Sequence, residues 1–438
     1  MARTLSTLSQ NTGQIRVWIS TRLWAQVLTA MALGVITGVF LSIDGLVSAD
    51  VAEVIGPWLA LPGKLFLNLI SLVLVPVVVI SILQGINAAP HNDTLKRTGI
   101  AFTAIVVFTT SAAAVLGVFM ALLIQPGSFI SGYEAPQAVV TAVQSTTGRL
   151  LPDVIAGLVP TEVQKAIAER DMTAIVMLAV MVGIAARQAR RDRVEPLLNG
   201  LAGALEVAMT IVRWAMYLTP FAVFGLIAQM VMRTGLETIG GMVVYVLTVA
   251  AGLALVLMLY LVLVSVFGRM NPVHFLSQIG SVQLLAFSTS SSAAVMPLSI
   301  ETASTKLGVS RANADMLIPL GATMNMAGTA LYQAVAILFL AQMTGVDLTS
   351  AQIFGVVSTL VVSAIGAPGT PGVSVAILTS VAAGLGIPME GMVLIMGVDR
   401  ILDMARTVVN VTGDLAACVI LQPKKVETQM APAAAAGE

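Results

Sequence analysis

A single cysteine, Cys418, stands among 438 residues. It excludes an intramolecular disulfide and any cysteine-based metal cluster, and in its apolar run it reads as a packed, inert thiol. Histidine is nearly as scarce. His91 and His274 flank expected cytoplasmic ends and no nucleophile–base constellation accompanies them, so an enzyme is not expected. Charge is thin: 10% of residues are Asp, Glu, Lys or Arg against 57% hydrophobic, and mean hydropathy is +0.95. That is too little charge to cover a soluble protein of this size. The formal net charge is zero, which offers nothing to a nucleic acid. Aromatic residues are few at 5%, whereas Gly at 37 and Met at 23 are plentiful. Small residues let helices approach closely in lipid, where packing drives their association. No signal-peptide cleavage pattern precedes the first apolar run, which reads as a retained membrane helix.

Apolar runs long enough to cross a hydrocarbon core of ~30 Å recur along the chain. They lie at about 24–43, 59–84, 99–124, 172–187, 200–232, 238–267, 312–342 and 388–421. The segment 128–171 is more polar and punctuated by Pro and Gly; it reads as an extra broken helix and an outside loop. The tail after Leu421, QPKKVETQMAPAAAAGE, is low-complexity and reads as disordered. Basic residues gather at alternate ends. Arg3, Arg16 and Arg22 precede the first run, Lys96 and Arg97 follow the second, and Arg187, Arg190, Arg191 and Arg193 follow the fourth. Arg269 follows the sixth, and Lys424 and Lys425 the last. These ends share one side if the runs alternate and if 276–310 and 350–384 re-enter. The positive-inside bias then puts both termini in the cytoplasm. The fold expected is an all-α polytopic protein of the cell inner membrane, with eight transmembrane helices and two re-entrant helical hairpins.

The two re-entrant stretches read SVQLLAFSTSSSAAVMPLSIETASTKLG and VVSAIGAPGTPGVSVAILTSVAAGLG. Each is an apolar helix, a Ser/Thr/Gly/Pro break and a second apolar helix. Broken backbone at membrane depth is tolerated only inside protein or against a polar cavity. Two such breaks at corresponding places point to a binding site at the midplane. A plain loop between spans is the alternative, and the lack of charge at the breaks speaks against it.

The last apolar run, GVDRILDMARTVVNVTGDLAACVI, carries Asp399, Arg400, Asp403, Arg406, Asn410 and Asp414. A charge at the bilayer centre costs at least ~2.5–3.5 kcal/mol, so these groups must pair or face a cavity. Asp399, Asp403, Arg406, Asn410 and Asp414 recur every three to four residues and so line one helical face. Arg400 lies off that stripe, free to snorkel or to reach a neighbour. Arg406 offers a planar fork for a carboxylate, and Asp403 could accept from an ammonium. Together they suit a zwitterion with an extra carboxylate. Asp414 and Asn410 offer hard oxygen ligands for a small cation. The competing reading is that Asp403 and Arg406 merely neutralise each other. In IPLGATMNMAGTALYQAVAIL, Gly321, Thr323, Asn325, Gly328 and Thr329 interrupt an apolar helix. Unwinding there would free carbonyl oxygens for a cation, while a kink filled by small residues is the alternative. Thr109, Thr110 and Ser111 in the third run are open to simple back-bonding.

At this point the chain resembles the dicarboxylate/amino acid:cation symporter family, the glutamate transporters and their prokaryotic homologues. The likeness runs from the first apolar run to Leu421, and four motifs carry it in the family's order and spacing: STSSSAAVMP, GATMNMAGTALYQA, GAPGTPG and DRILDMARTVVNVTGD. The resemblance implies a homotrimeric, elevator-type sodium symporter with inverted repeats, carrying L-aspartate or L-glutamate, with sodium as coupling ion and no other cofactor. It implies a cytoplasmic N-terminus at 1–23 and a disordered cytoplasmic tail at 423–438. Scaffold would comprise 24–98 and 128–232; a mobile transport domain would comprise 99–127 and 233–422, with the hairpin at 350–384 as outer gate. Substrate contacts would be Ser291, Ser292, Thr329, Pro371, Gly372, Asp403, Arg406, Thr407 and Asn410. One sodium set would be Gly321, Asn325, Asn410 and Asp414, and a second Thr323, Met326, Ala364, Ile365 and Ala367. A third would use Thr110, Ser111 and Asn325.

Two positions depart from the family pattern. Ala327 stands where an acidic residue ordinarily helps hold the third sodium, which predicts a weak or missing third site and altered stoichiometry. Ser374 stands near the gate tip where glycine is common. A dicarboxylate or a neutral amino acid as cargo, a proton as coupling ion, and an anion channel on the same fold remain the alternatives. Asp403 argues against a plain dicarboxylate, which it would repel unless protonated. Arg406 argues against a neutral amino acid, beside which it would sit uncompensated.

Overall fold

A computed structural model describes residues 23–41, 49–87, 93–130, 162–168, 172–234, 237–366, 373–385, 387 and 391–422. The described chain is almost wholly helical. In order it forms α1 (Leu23–Phe40), α2 (Ala49–Asn87), α3 (Asp93–Ile124), a short 3-10 turn (Pro126–Phe129), α4 (Val163–Ala168), α5 (Met172–Gln188) and α6 (Arg191–Thr234). Then come α7 (Glu237–Val266), α8 (Pro272–Thr289), α9 (Ser292–Thr305), α10 (Arg311–Met324), α11 (Ala327–Met343), α12 (Ser350–Gly366), α13 (Val373–Gly384) and α14 (Met392–Ile420).

Four described stretches are long and apolar enough to cross a membrane: Arg97–Phe129, Arg191–Met232, Gly240–Val266 and Arg311–Met343. α14 has the length, but its five ionisable residues dilute the apolar signal. Large apolar side chains such as Leu72, Phe108, Phe119, Phe221 and Phe354 face outward, as suits lipid and not water.

Several helices outrun the apolar runs. α2 begins ten residues before the expected 59 and continues through Pro57, Pro62 and Pro76. α6 begins nine residues before the expected 200. Without water to satisfy freed backbone groups, the helical state is favoured and proline is tolerated within it. Of the segment 128–171, the end of the 3-10 turn and α4 are described. The rest of that segment (131–161 and 169–171), the N-terminal residues 1–22 and the tail from 423 lie outside the described residues, as does His91.

α1 and α2 pack on α6 and α5 packs on α2, while α3 lies along α11 and α7 lies along α14. α11 is buried on almost every side, as an all-round apolar helix must be. Against it and α14 pack two helix pairs, α8/α9 and α12/α13.

The first pair turns where its sequence prescribes. Asn271 caps α8 by accepting from the backbone of Val273 at 2.8 Å, with Pro272 in the first turn. Ser290 ends α8 in the left-handed region at φ 51°, and Ser291 caps α9 by accepting from the Ala294 N–H at 3.3 Å. Serines at the break thus stop one helix and start the next. The tip of the second pair, 367–372, lies outside the described residues, and with it the expected contacts Ala367, Pro371 and Gly372.

Candidate functional site

The helix expected over 312–342 breaks at Asn325 and Met326, between α10 and α11. The new N-terminus of α11 has no cap from its own chain segment. Asn410 of α14 supplies one, its Oδ1 accepting from the Gly328 N–H at 2.8 Å. Gly328 permits this approach, because a Cβ there would lie 2.9 Å from the Arg406 carbonyl oxygen and 3.1 Å from Asn410 Oδ1. The amide of Asn410 donates to Thr329 Oγ1 at 3.1 Å and to Met326 Sδ at 3.3 Å. One side chain thus ties the broken helix to α14 (an orphan N–H that would otherwise cost free energy is satisfied).

Arg406 is the hub of the charged cluster, and is 1% exposed. Its Nε donates to Asp403 Oδ1 at 3.0 Å and its Nη2 reaches the same oxygen at 2.8 Å. Its Nη1 donates to Asp399 Oδ1 at 2.9 Å, and Nη2 also donates to Ser374 Oγ on α13. The guanidinium carbon stands 4.3 Å from the centroid of the Tyr332 ring, a cation–π arrangement. Arg400 does not snorkel. It is buried and reaches Asp403 Oδ2 at 3.6 Å. Two carboxylates and two guanidiniums therefore balance within one helix. Asp403 and Arg406 do neutralise each other, with Asp399 as a third member. The expectation that Arg406 would sit uncompensated beside a neutral cargo is overturned, because Asp399 compensates it from one side.

Two turns further along, Asp414 is buried at 2% exposure. Asn325 Nδ2 donates to its Oδ1 at 3.0 Å. No ion-pair partner joins it among the described residues. Its carboxylate lies against Gly321, where a Cβ would collide with it. Gly321, Asn325, Asn410 and Asp414, expected as one cation set, are thus brought together. Asn325 Nδ2 also approaches the Asn410 carbonyl oxygen at 3.4 Å, and Tyr260 donates to Asn325 Oδ1 at 3.1 Å.

The other expected residues divide. Met326 and Ala364 meet in a small apolar cluster that joins α11 to α3 and α12. Thr323 back-bonds to the Leu320 carbonyl at 3.0 Å, and the side chain of Ile365 lies outside the described residues. Thr407 is buried, its hydroxyl donating to the Asp403 carbonyl at 2.7 Å. Ser292 is buried at the start of α9, which packs on α14, and Ser291 is the cap beside it. Of the third cation set, Thr110 is fully buried, with no hydrogen-bond partner for its hydroxyl among the described residues, and Ser111 is half-buried. The Asn325 side chain is engaged by Tyr260 and Asp414, and Ala327, fully buried, offers no ligand.

Sequence reasoning missed Tyr260, Tyr332 and Gln333. Their signal was faint: polar or aromatic groups set in apolar helices, with partners on other helices. For Asp399 a signal existed, since seven residues return a side chain to the same face as Arg406.

The family model described as "Sodium:dicarboxylate symporter family" matches residues 23–423. The chain is 33% identical over 381 residues to the proton/sodium-glutamate symport protein of Bacillus subtilis, covering 84% of this chain and 88% of that one. It is 30% identical over 404 residues to the proton/glutamate-aspartate symporter of Escherichia coli, covering 90% and 91%. It is also 28% identical over 398 residues to the neutral amino acid transporter B(0) of Oryctolagus cuniculus, covering 83% and 73%.

Proposed function

The chain belongs to the sodium:dicarboxylate symporter family, a multi-pass membrane transporter, and we propose that it carries acidic amino acids, L-aspartate or L-glutamate, in symport with sodium. The observation that carries this reading is the buried Arg406, framed by Asp403 and Asp399 and set beside the broken helix capped by Asn410. A distal carboxylate suits the end of the Arg406 fork, which Asp399 and Ser374 meet in this structure. Asp403 and the hydroxyls of Thr407 and Thr329 suit the ammonium and α-carboxylate. A buried carboxylate with no basic partner is costly, so Asp414 supports a cation held with oxygens of Gly321, Asn325 and Asn410. A second ion at Thr323, Met326, Ala364, Ile365 and Ala367 is proposed on the family likeness alone. With Ala327 in place of an acid, the third set of Thr110, Ser111 and Asn325 is proposed to be weak, lowering the number of ions carried per substrate.

In this reading a homotrimer in the cell inner membrane moves α3 and α7–α14 as a unit against α1, α2, α5 and α6, with both termini in the cytoplasm. The packing of these helices in two groups supports the division. Relatives named as proton/sodium-glutamate symporters keep the proton open as coupling ion.

Asp399 favours a second reading, a neutral amino acid as cargo, because it balances Arg406 internally. The test is uptake into proteoliposomes of labelled aspartate, glutamate, serine and succinate, with sodium and proton gradients imposed separately. Sodium-driven uptake of aspartate or glutamate is expected. Uptake of serine with neither acidic amino acid would replace this reading by the second.

A further inference from the structure

Ser374 has no role in the site as described so far. It is 8% exposed, and its hydroxyl oxygen accepts from Arg406 Nη2. Among the described residues no acceptor takes the hydroxyl hydrogen. Its position is built, not incidental. Ser374 is the second residue of α13, and its carbonyl accepts from Gln333 Nε2 at 2.9 Å. Gln333 is fully buried on α11, directly after Tyr332, whose ring underlies Arg406.

The geometry sorts the edges of the guanidinium. Asp403 takes the side edge, at Nε and Nη2. The end of the fork is met by Asp399 at Nη1 and by Ser374 at Nη2. A ligand carboxylate approaching that end therefore meets one carboxylate and one hydroxyl. Asp399, when ionised, accepts only and repels it. A hydroxyl both accepts and donates, and its hydrogen rotates to suit.

We propose that Ser374 is a specificity-determining residue. Its hydroxyl yields Nη2 to the distal carboxylate of an acidic amino acid and turns its own O–H onto that carboxylate, so that Arg406 and Ser374 hold the anionic end together. The inference rests on the acidic-substrate reading and names the group that recognises the side chain of the cargo. No covalent bond changes; the hydrogen bond from Nη2 to Ser374 Oγ is lost, and two form in its place, one from Nη2 and one from the Ser374 hydroxyl to the carboxylate. A hydrogen bond to a charged group is worth about tenfold in affinity or more. A substrate lacking the distal carboxylate gains nothing from it.

The test compares Ser374→Ala, Ser374→Thr and Ser374→Val in proteoliposomes, with KM and maximal rate measured for L-aspartate and L-glutamate. Ser374→Ala is expected to raise KM about tenfold, with a smaller change in maximal rate. Thr and Val share a shape and differ by the hydroxyl, so Ser374→Thr is expected to stay near wild type and Ser374→Val to follow the Ala variant. Equal KM for the Thr and Val variants overturns the proposal, even where the Ala variant does not assemble. If the wild type takes up acidic substrate and that equality is found, this inference alone falls. If the wild type takes up no acidic amino acid under either gradient, the parent reading falls and this one with it.

Discussion

Two buried polar clusters share α14 and differ in their electrostatics. At Asp399 to Arg406, two acids and two bases are close enough to cancel, and Arg406 is surrounded by partners on α11, α13 and its own helix. At Asp414, one acid is buried just as deeply with an asparagine amide for company. The same apolar helix thus holds a self-balanced site and an unbalanced one. Burial tolerates the first on geometry alone, whereas the second calls for a proton or a cation to neutralise it. Under the proposed function, cargo recognition is assigned to the balanced cluster, where partners are exchanged without a net cost in charge, and cation coupling to the unbalanced one.

The largest expected effect breaks the balanced cluster. Arg406→Ala leaves Asp399 and Asp403 facing Arg400 alone, and truncating one member of a buried charge pair costs about 2–5 kcal/mol. Uptake of aspartate should fall by roughly a hundredfold or more, while Arg406→Lys, which keeps the charge and loses the fork, should fall less. Unchanged aspartate affinity in the Ala variant would remove Arg406 from the site. Next is Gly321→Ala at the unbalanced cluster. Its Cβ would displace the Asp414 carboxylate, and sodium affinity should drop about tenfold, read as sodium-dependent substrate binding. Asp399→Asn sharpens the contrast instead of breaking it. With one acid fewer, Arg406 attracts a distal carboxylate more strongly, so the KM ratio of serine to glutamate should rise several-fold; a fall would mean Asp399 serves the acidic cargo. The smallest effect is expected from Ala327→Asp, which adds a second unbalanced carboxylate beside Asn325. Its thermal midpoint should become more sodium-dependent than that of wild type by a few degrees, measured by a melting series in sodium and in choline.

Much of this was legible in the sequence, for physical reasons that vary by element. The charged stripe of α14 showed because insertion costs make every ionisable residue in an apolar run informative. The break at Asn325 showed through its Gly, Thr and Asn, and the turn at Ser290 and Ser291 through the capping chemistry of serine. The Asp403–Arg406 pair was legible from its i,i+3 spacing, but the parts of Asp399 and Arg400 were not. Spacing places Asp399, Asp403 and Arg406 on one face, but which acid takes which edge of the fork depends on partners from α11 and α13. Arg400 illustrates the same gap: its position off the stripe suited snorkelling, yet neighbouring helices cover it and it turns to Asp403. Tyr260 and Gln333 act across helix boundaries, where no periodicity in the chain points. Helix ends were hidden for another reason. The prolines of α2 mark stops in water but not inside a bundle that satisfies the backbone locally.

The most direct test of this division of labour is L-aspartate binding by the purified protein, titrated against sodium in wild type and in Asp414→Asn. Affinity is expected to rise with sodium in the wild type and to rise much less steeply in the variant, with aspartate still bound at Arg406. The same steep sodium dependence in both proteins would contradict it.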